Sequence, residues 1–127
     1  MPRNTGFDAT TTALILNRDG GCCAKCGRHV THLERGQAWS IHHRAPRARG
    51  GAGVKNTWIN SAANGVTLCT PCHEGIESTR KHSYDTGWLV RRNGRTLPAD
   101  IPYLHAIHGY GNALDNGLFE RITHGPS

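Results

Sequence analysis

The sequence predicts a small α+β domain in which a strand, a long loop, a second strand and a helix follow one another. Residues 38–43 alternate between apolar and polar side chains and include Trp39 and Ile41, which is typical of a half-buried strand. Residues 66–68 form a short strand-like run after a segment rich in glycine and asparagine, and Pro71 suits the first turn of a helix. Two Cys-x-x-Cys pairs bracket this unit, so we expect a bound metal ion to staple it.

The composition indicates one basic domain with a small core. The chain has 127 residues, of which 36% are hydrophobic and 6% aromatic, and a core of that size gains from a metal staple. The net charge of +6 favours nucleic acid over a membrane surface as the partner. No acidic residue lies between Glu34 and Glu74, whereas five basic residues do: Arg35, Arg44, Arg47, Arg49 and Lys55. This interval is either an ordinary solvated basic loop or a region of positive potential around a functional site.

The cysteine pattern favours a reducing compartment. Five is an odd count, and four of the five stand in two pairs of x2 spacing, which is unlike the framework of a secreted disulfide-stapled domain. The N-terminus leads into no apolar run of signal-peptide length, and no stretch approaches the roughly 20 residues of a membrane span. We therefore expect a cytoplasmic protein.

Before the first cysteine pair, residues 8–18 have the character of a helix. Asp8 or one of the threonines at positions 10–12 would cap this helix, and Asp19-Gly20-Gly21 would end it. The knuckle Cys23–Gly27 follows, and the glycine after its second cysteine permits the turn around a metal ion.

Loops and turns dominate the rest of the predicted structure. Residues 44–65 predict one long loop, and a loop of that length inside a compact domain is usually functional. The helix that begins near Pro71 is expected to run to about His82. Asn93-Gly94 predicts a tight hairpin, with strands at 88–91 and 96–97. Residues 99–127 show little periodicity, so we expect an irregular tail there.

Four cysteines make the pattern of a tetrahedral thiolate zinc site: Cys23, Cys26, Cys69 and Cys72. The chain between the two pairs carries the tandem histidines, so zinc would close that loop. Cys22 is the spare cysteine and is expected to be a free thiol, because Cys23 keeps both the x2 spacing and the following glycine. The alternative for the four is a set of buried free cysteines.

A longer pattern extends over the same region. It reads His42-His43-x-x-Pro46-Arg47, then Gly50-Gly51, then Asn64, then Leu68-Cys-x-x-Cys-His73. The pattern resembles the HNH endonuclease family in its zinc-stapled form, and most closely the small HNH proteins of bacteriophages. This resemblance covers about residues 12–92 and implies a ββα-metal (His-Me finger) core. It also implies a nuclease domain at residues 1–92 with its core at 23–82, and residues 93–127 as an irregular extension rather than a separate domain.

The resemblance implies a role for each histidine of the pattern. His43 is the general base, and a neutral imidazole can take a proton from water near physiological pH. His42 is the first ligand of one catalytic divalent metal ion; many family members carry Asp there. His73 is the second ligand. Glu77, one helical turn further on, is either the third ligand or an exposed helical carboxylate. The ion would be Mg²⁺, Mn²⁺, Ni²⁺ or Zn²⁺, and imidazoles favour transition metals.

The same resemblance assigns the other polar residues of the loop. Asn64 would pin the long loop through backbone hydrogen bonds, and a plain turn asparagine in Asn64-Gly65 is compatible with that role. Arg44, Arg47 and Arg49 are candidate phosphate contacts, which position nucleic acid without reading its sequence.

The implied function is metal-dependent hydrolysis of DNA phosphodiester bonds, as nicking or double-strand cleavage. For a bacteriophage protein it implies the host cytoplasm, DNA processing or packaging, and terminase as a candidate partner. Two alternatives remain: a zinc-dependent nucleic-acid-binding module without catalysis, and a toxin-type nuclease domain. A binding module needs the cysteines and arginines but not the set His42, His43, Asn64 and His73, so the complete set favours the enzyme.

Overall fold

The computed structural model describes residues 6–46, 58–92 and 96–122. These residues form, in chain order, α1 (Ala9–Asp19), β1 (Trp39–His43), β2 (Gly65–Cys69), α2 (Thr70–Ser78), α3 (Arg80–Asp85), β3 (Tyr103–His105), β4 (Gly109–Ala113) and β5 (Phe119–Arg121). Strands β1 and β2 pair antiparallel, and β3, β4 and β5 form a second antiparallel sheet in that order. The α+β class with an N-terminal helix is confirmed.

Helix α1 begins and ends where the sequence signals predict. The Asp8 side chain caps it by accepting a hydrogen bond from the Thr11 N–H at 2.8 Å. Gly20 ends it in the left-handed conformation, with φ of 65°, which glycine adopts without steric cost. The helix packs on β2 and thereby supports the strand pair from one side.

The β1–β2 pair and α2 form the predicted strand–loop–strand–helix unit. Register pairs Trp39 with Cys69 at one end and His43 with Gly65 at the other. Helix α2 follows β2 without a connecting loop, because Cys69 is at once the last residue of the strand and the N-cap of the helix. This junction places Cys69 beside Trp39 at the start of β1, and His73 lies against His42 further along the same strand.

The helix predicted from Pro71 to His82 is two helices. Thr79 interrupts it with φ −126° and ψ 59°, values outside the helical region. Its N–H and its hydroxyl both donate to the Gly75 carbonyl. Helix α3 then starts at Arg80. The break at Thr79 therefore lies two residues after Glu77.

The C-terminal region differs most from the prediction. The expectation of an irregular tail is wrong for residues 103–121, which form the three-stranded sheet. The turn Asn93-Gly94 lies outside the described residues, and its predicted flanks, 88–91 and 96–97, are not strands. Residues 88–90 are instead buried. Strands β3 and β5 have only three residues each, which is too short for an alternation pattern to show.

The two sheets share one core. The main apolar cluster contains Cys23, Trp39, Leu68 and Ile76 from the first part of the chain together with Tyr103 and Ala113 from the second sheet. A smaller cluster of Ala45, Ile59 and Val90 lies beside it. No helix among the described residues is long and apolar enough to cross a membrane.

A buried polar network also joins α1 to the second sheet. Arg18 donates two hydrogen bonds to the carboxylate of Asp19, at 2.7 and 2.9 Å. His105 donates to the same carboxylate at 2.8 Å, and Asp19 also accepts from the Thr67 N–H. Burial favours the neutral acid, but the hydrogen bond from His105 and the charge of Arg18 lower the pKa of Asp19 to about 2.

Candidate functional site

The four paired cysteines converge between the knuckle and the start of α2. Their sulfur atoms all lie within 4.8 Å of one another. The separation between Sγ of Cys26 and Sγ of Cys69 is 3.8 Å, which equals the distance of about 3.8 Å expected between two thiolates on a tetrahedral zinc ion with Zn–S bonds of about 2.3 Å. Gly27 makes the turn around this point with φ of 83°. The donor set therefore fits a structural zinc ion.

Burial and close packing shift the pKa values of the clustered thiols. Burial and the neighbouring thiols of Cys69 and Cys23 raise the pKa of Cys72 above the usual thiol value. Thiolates packed this closely repel one another unless a cation neutralises them, and thiolate is the form that binds zinc. None of the five cysteines forms a disulfide; Cys22 is half-buried and, as predicted, is a free thiol.

A second group of candidate ligands lies where β1 meets α2. One donor atom from each of His42, His73 and Glu77 lies within 4.8 Å of the other two. The rings of His42 and His73 have centroids 5.2 Å apart, and Nε2 of His73 is 3.9 Å from Oε2 of Glu77. The side chains of His73 and Glu77 are 38% and 42% exposed, so the group is open to solvent. Two imidazoles and a carboxylate fit a divalent transition metal.

His42 is held in one orientation from behind. Its Nε2 lies 3.0 Å from the Trp88 carbonyl, and a carbonyl only accepts, so Nε2 carries the hydrogen. The lone pair of the neutral ring is then on Nδ1. Burial lowers the pKa of His42 to about 4. The nearby His73 and His43 lower this pKa further, whereas the hydrogen bond to Trp88 acts to raise it. The ring is therefore neutral at pH 7, which is the form that binds metal.

Glu77 has a competing partner on the next helix. Arg80, the first residue of α3, forms an ion pair with Oε1 of Glu77, and the other carboxylate oxygen faces His73. Arg80 also donates to the Tyr84 hydroxyl at 3.2 Å. The carboxylate is thus oriented with one oxygen toward the histidines, in the arrangement of a monodentate metal ligand.

His43 ends β1 beside this group. Its Nε2 is 2.8 Å from Oδ1 of Asn60, and its ring stacks on Phe7 with centroids 4.2 Å apart and planes 15° from parallel. His42 and His43 follow one another in a strand, so their side chains leave on opposite faces. The two histidines consequently have different surroundings, one buried and the other half-exposed.

Asn64 is fully buried and ties the two ends of the long loop together. Its Oδ1 accepts from the Ala45 N–H at 2.8 Å, and its Nδ2 donates to the Ala45 and Ile59 carbonyls at 3.1 and 2.8 Å. The backbone adds a further tie, because the Arg44 N–H donates to the Asn64 carbonyl at 2.9 Å. The residue just past His43 is therefore fixed to the start of β2.

The comparison with protein families agrees with this geometry. Residues 23–79 match the family model of the HNH endonuclease. The chain carries an HNH endonuclease domain. Neither the curated proteins nor the solved structures contain a significant match to the chain. The matched range of the HNH domain begins at the first paired cysteine and ends two residues after Glu77, so it contains both groups of candidate ligands.

The HNH domain uses Arg44 differently from the prediction. The expectation that Arg44 contacts phosphate is wrong, because its side chain is fully buried. It donates hydrogen bonds to four backbone carbonyls, those of Ala63, Gly87, Pro98 and Ile101. Burial lowers the pKa of Arg44 to about 10, so it stays charged at pH 7. Arg47 and Arg49, with Gly50-Gly51, lie outside the described residues.

Sequence reasoning missed three contacts at the HNH site. These are the Asn60 and Phe7 contacts with His43 and the ion pair of Arg80 with Glu77. The spacing of Arg80 from Glu77, three residues along a helix, was a usable signal. The contacts of Asn60 and Phe7 with His43 depend on how the long loop and the segment before α1 fold, so no local sequence pattern predicts them.

Proposed function

We propose that this HNH protein is a metal-dependent endonuclease that hydrolyses phosphodiester bonds of DNA. The observation that carries the proposal is the open ligand group of His42, His73 and Glu77, with His43 as the residue directly after His42 at the end of β1. A nuclease needs a base for water and a cation for the phosphate in one exposed place, and a binding module needs neither.

His43 is the general base in this proposal. The hydrogen bond from its Nε2–H to Asn60 leaves the lone pair of the neutral ring on Nδ1. This nitrogen takes a proton from the attacking water, the hydroxide adds to phosphorus, the bond to the 3′ oxygen breaks, and solvent water protonates that oxygen. The products carry a 5′ phosphate and a 3′ hydroxyl, as the family resemblance implies.

The ligand group supports one divalent ion. Bound there, such an ion supplies Lewis-acid polarisation of the scissile phosphate and stabilises the charge on the departing oxygen. His42 contributes Nδ1 because its other nitrogen is committed to the Trp88 carbonyl, and Glu77 contributes the single negative charge of the set. This donor set favours Mn²⁺, Ni²⁺ or Zn²⁺ over Mg²⁺.

Asn64, Arg47 and Arg49 have supporting roles in the proposal. Asn64 holds the backbone on both sides of the loop, which keeps His43 in place. Arg47 and Arg49 bind DNA phosphates, in keeping with the net charge of +6. We further propose that the protein acts in DNA packaging of a bacteriophage in the host cytoplasm, with terminase as its partner. This part of the proposal is supported by the family resemblance.

The experiment that tests the metal requirement compares His73→Ala with His82→Ala, a matched control on an exposed histidine outside the ligand group. Binding of Mn²⁺ or Ni²⁺ to zinc-loaded protein is measured by calorimetry, and nicking of supercoiled plasmid is measured with each metal. We expect His73→Ala to weaken metal binding and nicking about 10- to 100-fold and His82→Ala to change neither. Equal metal binding by both variants would refute the assigned ligand group. Retained DNA binding without nicking by the unmodified chain would favour the binding module.

A further inference from the structure

Asn60 contacts the general base directly, although it is not one of the residues of the family pattern. It lies in the turn that leads into the short 3-10 turn Ala62–Asn64, and its Oδ1 is 2.8 Å from Nε2 of His43. We propose that Asn60 is the positioning residue of the nuclease site, which fixes both the tautomer and the ring orientation of His43. This inference rests on the proposed function.

The tautomer follows from hydrogen-bond chemistry. The oxygen of a side-chain amide carries no hydrogen, so it can only accept, and Nε2 of His43 must donate to it. A free imidazole exchanges its hydrogen between the two nitrogens, and only the tautomer with hydrogen on Nε2 presents a basic Nδ1. The neutral amide selects this tautomer without adding a charge beside the base.

The turn that carries Asn60 is itself held by hydrogen bonds. The backbone N–H and the hydroxyl of Ser61 both donate to the Trp58 carbonyl, at 3.0 and 2.8 Å. The fully buried Asn64 donates to the carbonyl of Ile59, the residue just before Asn60. Asn64 thus acts on the base through the backbone that presents Asn60.

The ring of His43 is constrained on a second side. Phe7 stacks on its face at 4.2 Å, and Phe7 precedes α1, whose start is fixed by the Asp8 cap. The hydrogen bond that His43 donates to Asn60 sets the direction of the ring edge, and the stack with Phe7 sets the plane of the ring. A hydrogen bond and a ring stack together define the position of an imidazole better than either contact alone. Precise placement matters because a reacting group that is misplaced by about 1 Å can lower the rate about 10²-fold.

The test uses the zinc-loaded full chain and two readouts. The tautomer of His43 is read from the ¹⁵N shifts of its ring in long-range ¹H–¹⁵N spectra at a pH where the ring is neutral. The rate is read from single-turnover nicking of a supercoiled plasmid. The variants are Asn60→Ala, which removes the acceptor, and Asn60→Asp, which keeps an acceptor oxygen at the same place. Asn17→Ala, on the exposed surface of α1, is the matched control.

We expect Asn60→Ala to lose the clear preference for hydrogen on Nε2 and to nick about 10- to 100-fold more slowly, with KM changed less than twofold. Asn60→Asp should restore the tautomer, and Asn17→Ala should match the unmodified chain. If Asn60→Ala loses its fold, Asn60→Ser, whose side chain is too short to reach the ring, makes the same test.

An unchanged tautomer and an unchanged rate in Asn60→Ala would overturn the inference while leaving the nuclease intact. Failure of the unmodified chain to nick with any divalent metal would instead refute the proposed function, and the inference would fall with it. The spectra distinguish these cases, because they report on His43 without requiring cleavage.

Discussion

Arg44 follows His43 in the sequence and is one of the most deeply buried of the described residues. At the residue scale it works as an anchor. The guanidinium of Arg44 donates to carbonyls from three separate segments, which contain Ala63, Gly87 and Ile101. Its Cζ atom lies 4.5 Å from the centre of the Tyr103 ring. The backbone next to His43 is therefore tied to the second sheet, so the position of His43 depends on residues far outside the matched family range.

Replacing Arg44 should destabilise the fold. We expect Arg44→Met to lower the free energy of unfolding by about 3–5 kcal/mol, because it removes the buried side-chain donor that four backbone carbonyls share. Arg28→Met, at an exposed position directly after the knuckle, is the control and should change the free energy of unfolding by less than about 0.5 kcal/mol. Urea denaturation followed by circular dichroism measures both. A similar midpoint for the two variants would contradict the anchoring role.

Glu77 is the proposed third metal ligand and also forms an ion pair with Arg80. We expect Glu77→Gln to raise the Mn²⁺ concentration for half-maximal nicking about tenfold or more, because the group loses its only negative charge. Glu74→Gln, also exposed on α2, should leave that concentration unchanged. A metal titration of the nicking rate makes the comparison. If both variants behave like the unmodified chain, Glu77 is a surface carboxylate paired with Arg80.

At the scale of elements, the cysteine cluster joins the two halves of the site. Cys69 ends β2, Cys72 lies in the first turn of α2, and His73 is the next residue. A zinc ion bound by the cluster would hold the knuckle, the strand and the helix together. The ion would thereby set where His73 lies relative to β1.

Loss of one cysteine ligand should cost the fold as well as the activity. We expect Cys69→Ser to lose its bound zinc and its cooperative melting transition, because zinc binding energy is folding energy in such a site. Cys22→Ser is the control, since Cys22 lies outside the cluster and should keep both. Zinc content by atomic emission and thermal melting by circular dichroism decide the matter. Normal melting of zinc-free Cys69→Ser would show that the cluster is dispensable.

The elements that the sequence predicts well carry local signals. Alternation predicted β1, the x2 spacing predicted the cysteine cluster, and the Asp8 and Gly20 signals bounded α1 within a residue. The elements that it misses depend on distant contacts. From the sequence alone, Arg44 is predicted to contact phosphate. In the structure it is buried by carbonyl partners that lie 19 to 57 residues further along the chain, and no local pattern predicts them. The second sheet is made of strands of three to five residues, and Gly109 and Gly111 of β4 give no apolar alternation.

At the scale of the whole molecule, the network of Asp19 joins α1, β2 and β3. Its carboxylate accepts from Arg18, from the Thr67 N–H and from His105. The His105 ring also accepts from the Ile107 N–H, so both of its nitrogens have partners. The network lets the C-terminal sheet and the N-terminal helix support the same strand of the HNH domain.

This network predicts how stability depends on acidity. The pKa of Asp19 falls from 3.8 to about 2 on folding, so its ionised form stabilises the fold above pH 4 and this contribution is lost as the pH falls toward 2. The loss amounts to about 2 kcal/mol. We expect Asp19→Asn to be less stable at pH 7 and to show a smaller further loss between pH 4 and pH 2. Exposed Asp115→Asn is the control. Parallel acid profiles of the three proteins by urea denaturation would contradict the account.

The measurement that tests the central claim most directly is single-turnover nicking of supercoiled plasmid by the unmodified chain, His43→Ala and His82→Ala at one saturating concentration of the preferred metal. Zinc content, circular dichroism and plasmid binding are recorded for the same preparations. We predict that His43→Ala nicks about 10²- to 10⁴-fold more slowly while it keeps its zinc, its fold and its DNA binding, and that His82→Ala nicks normally. Nicking by His43→Ala at the rate of the unmodified chain would show that His43 is not the base.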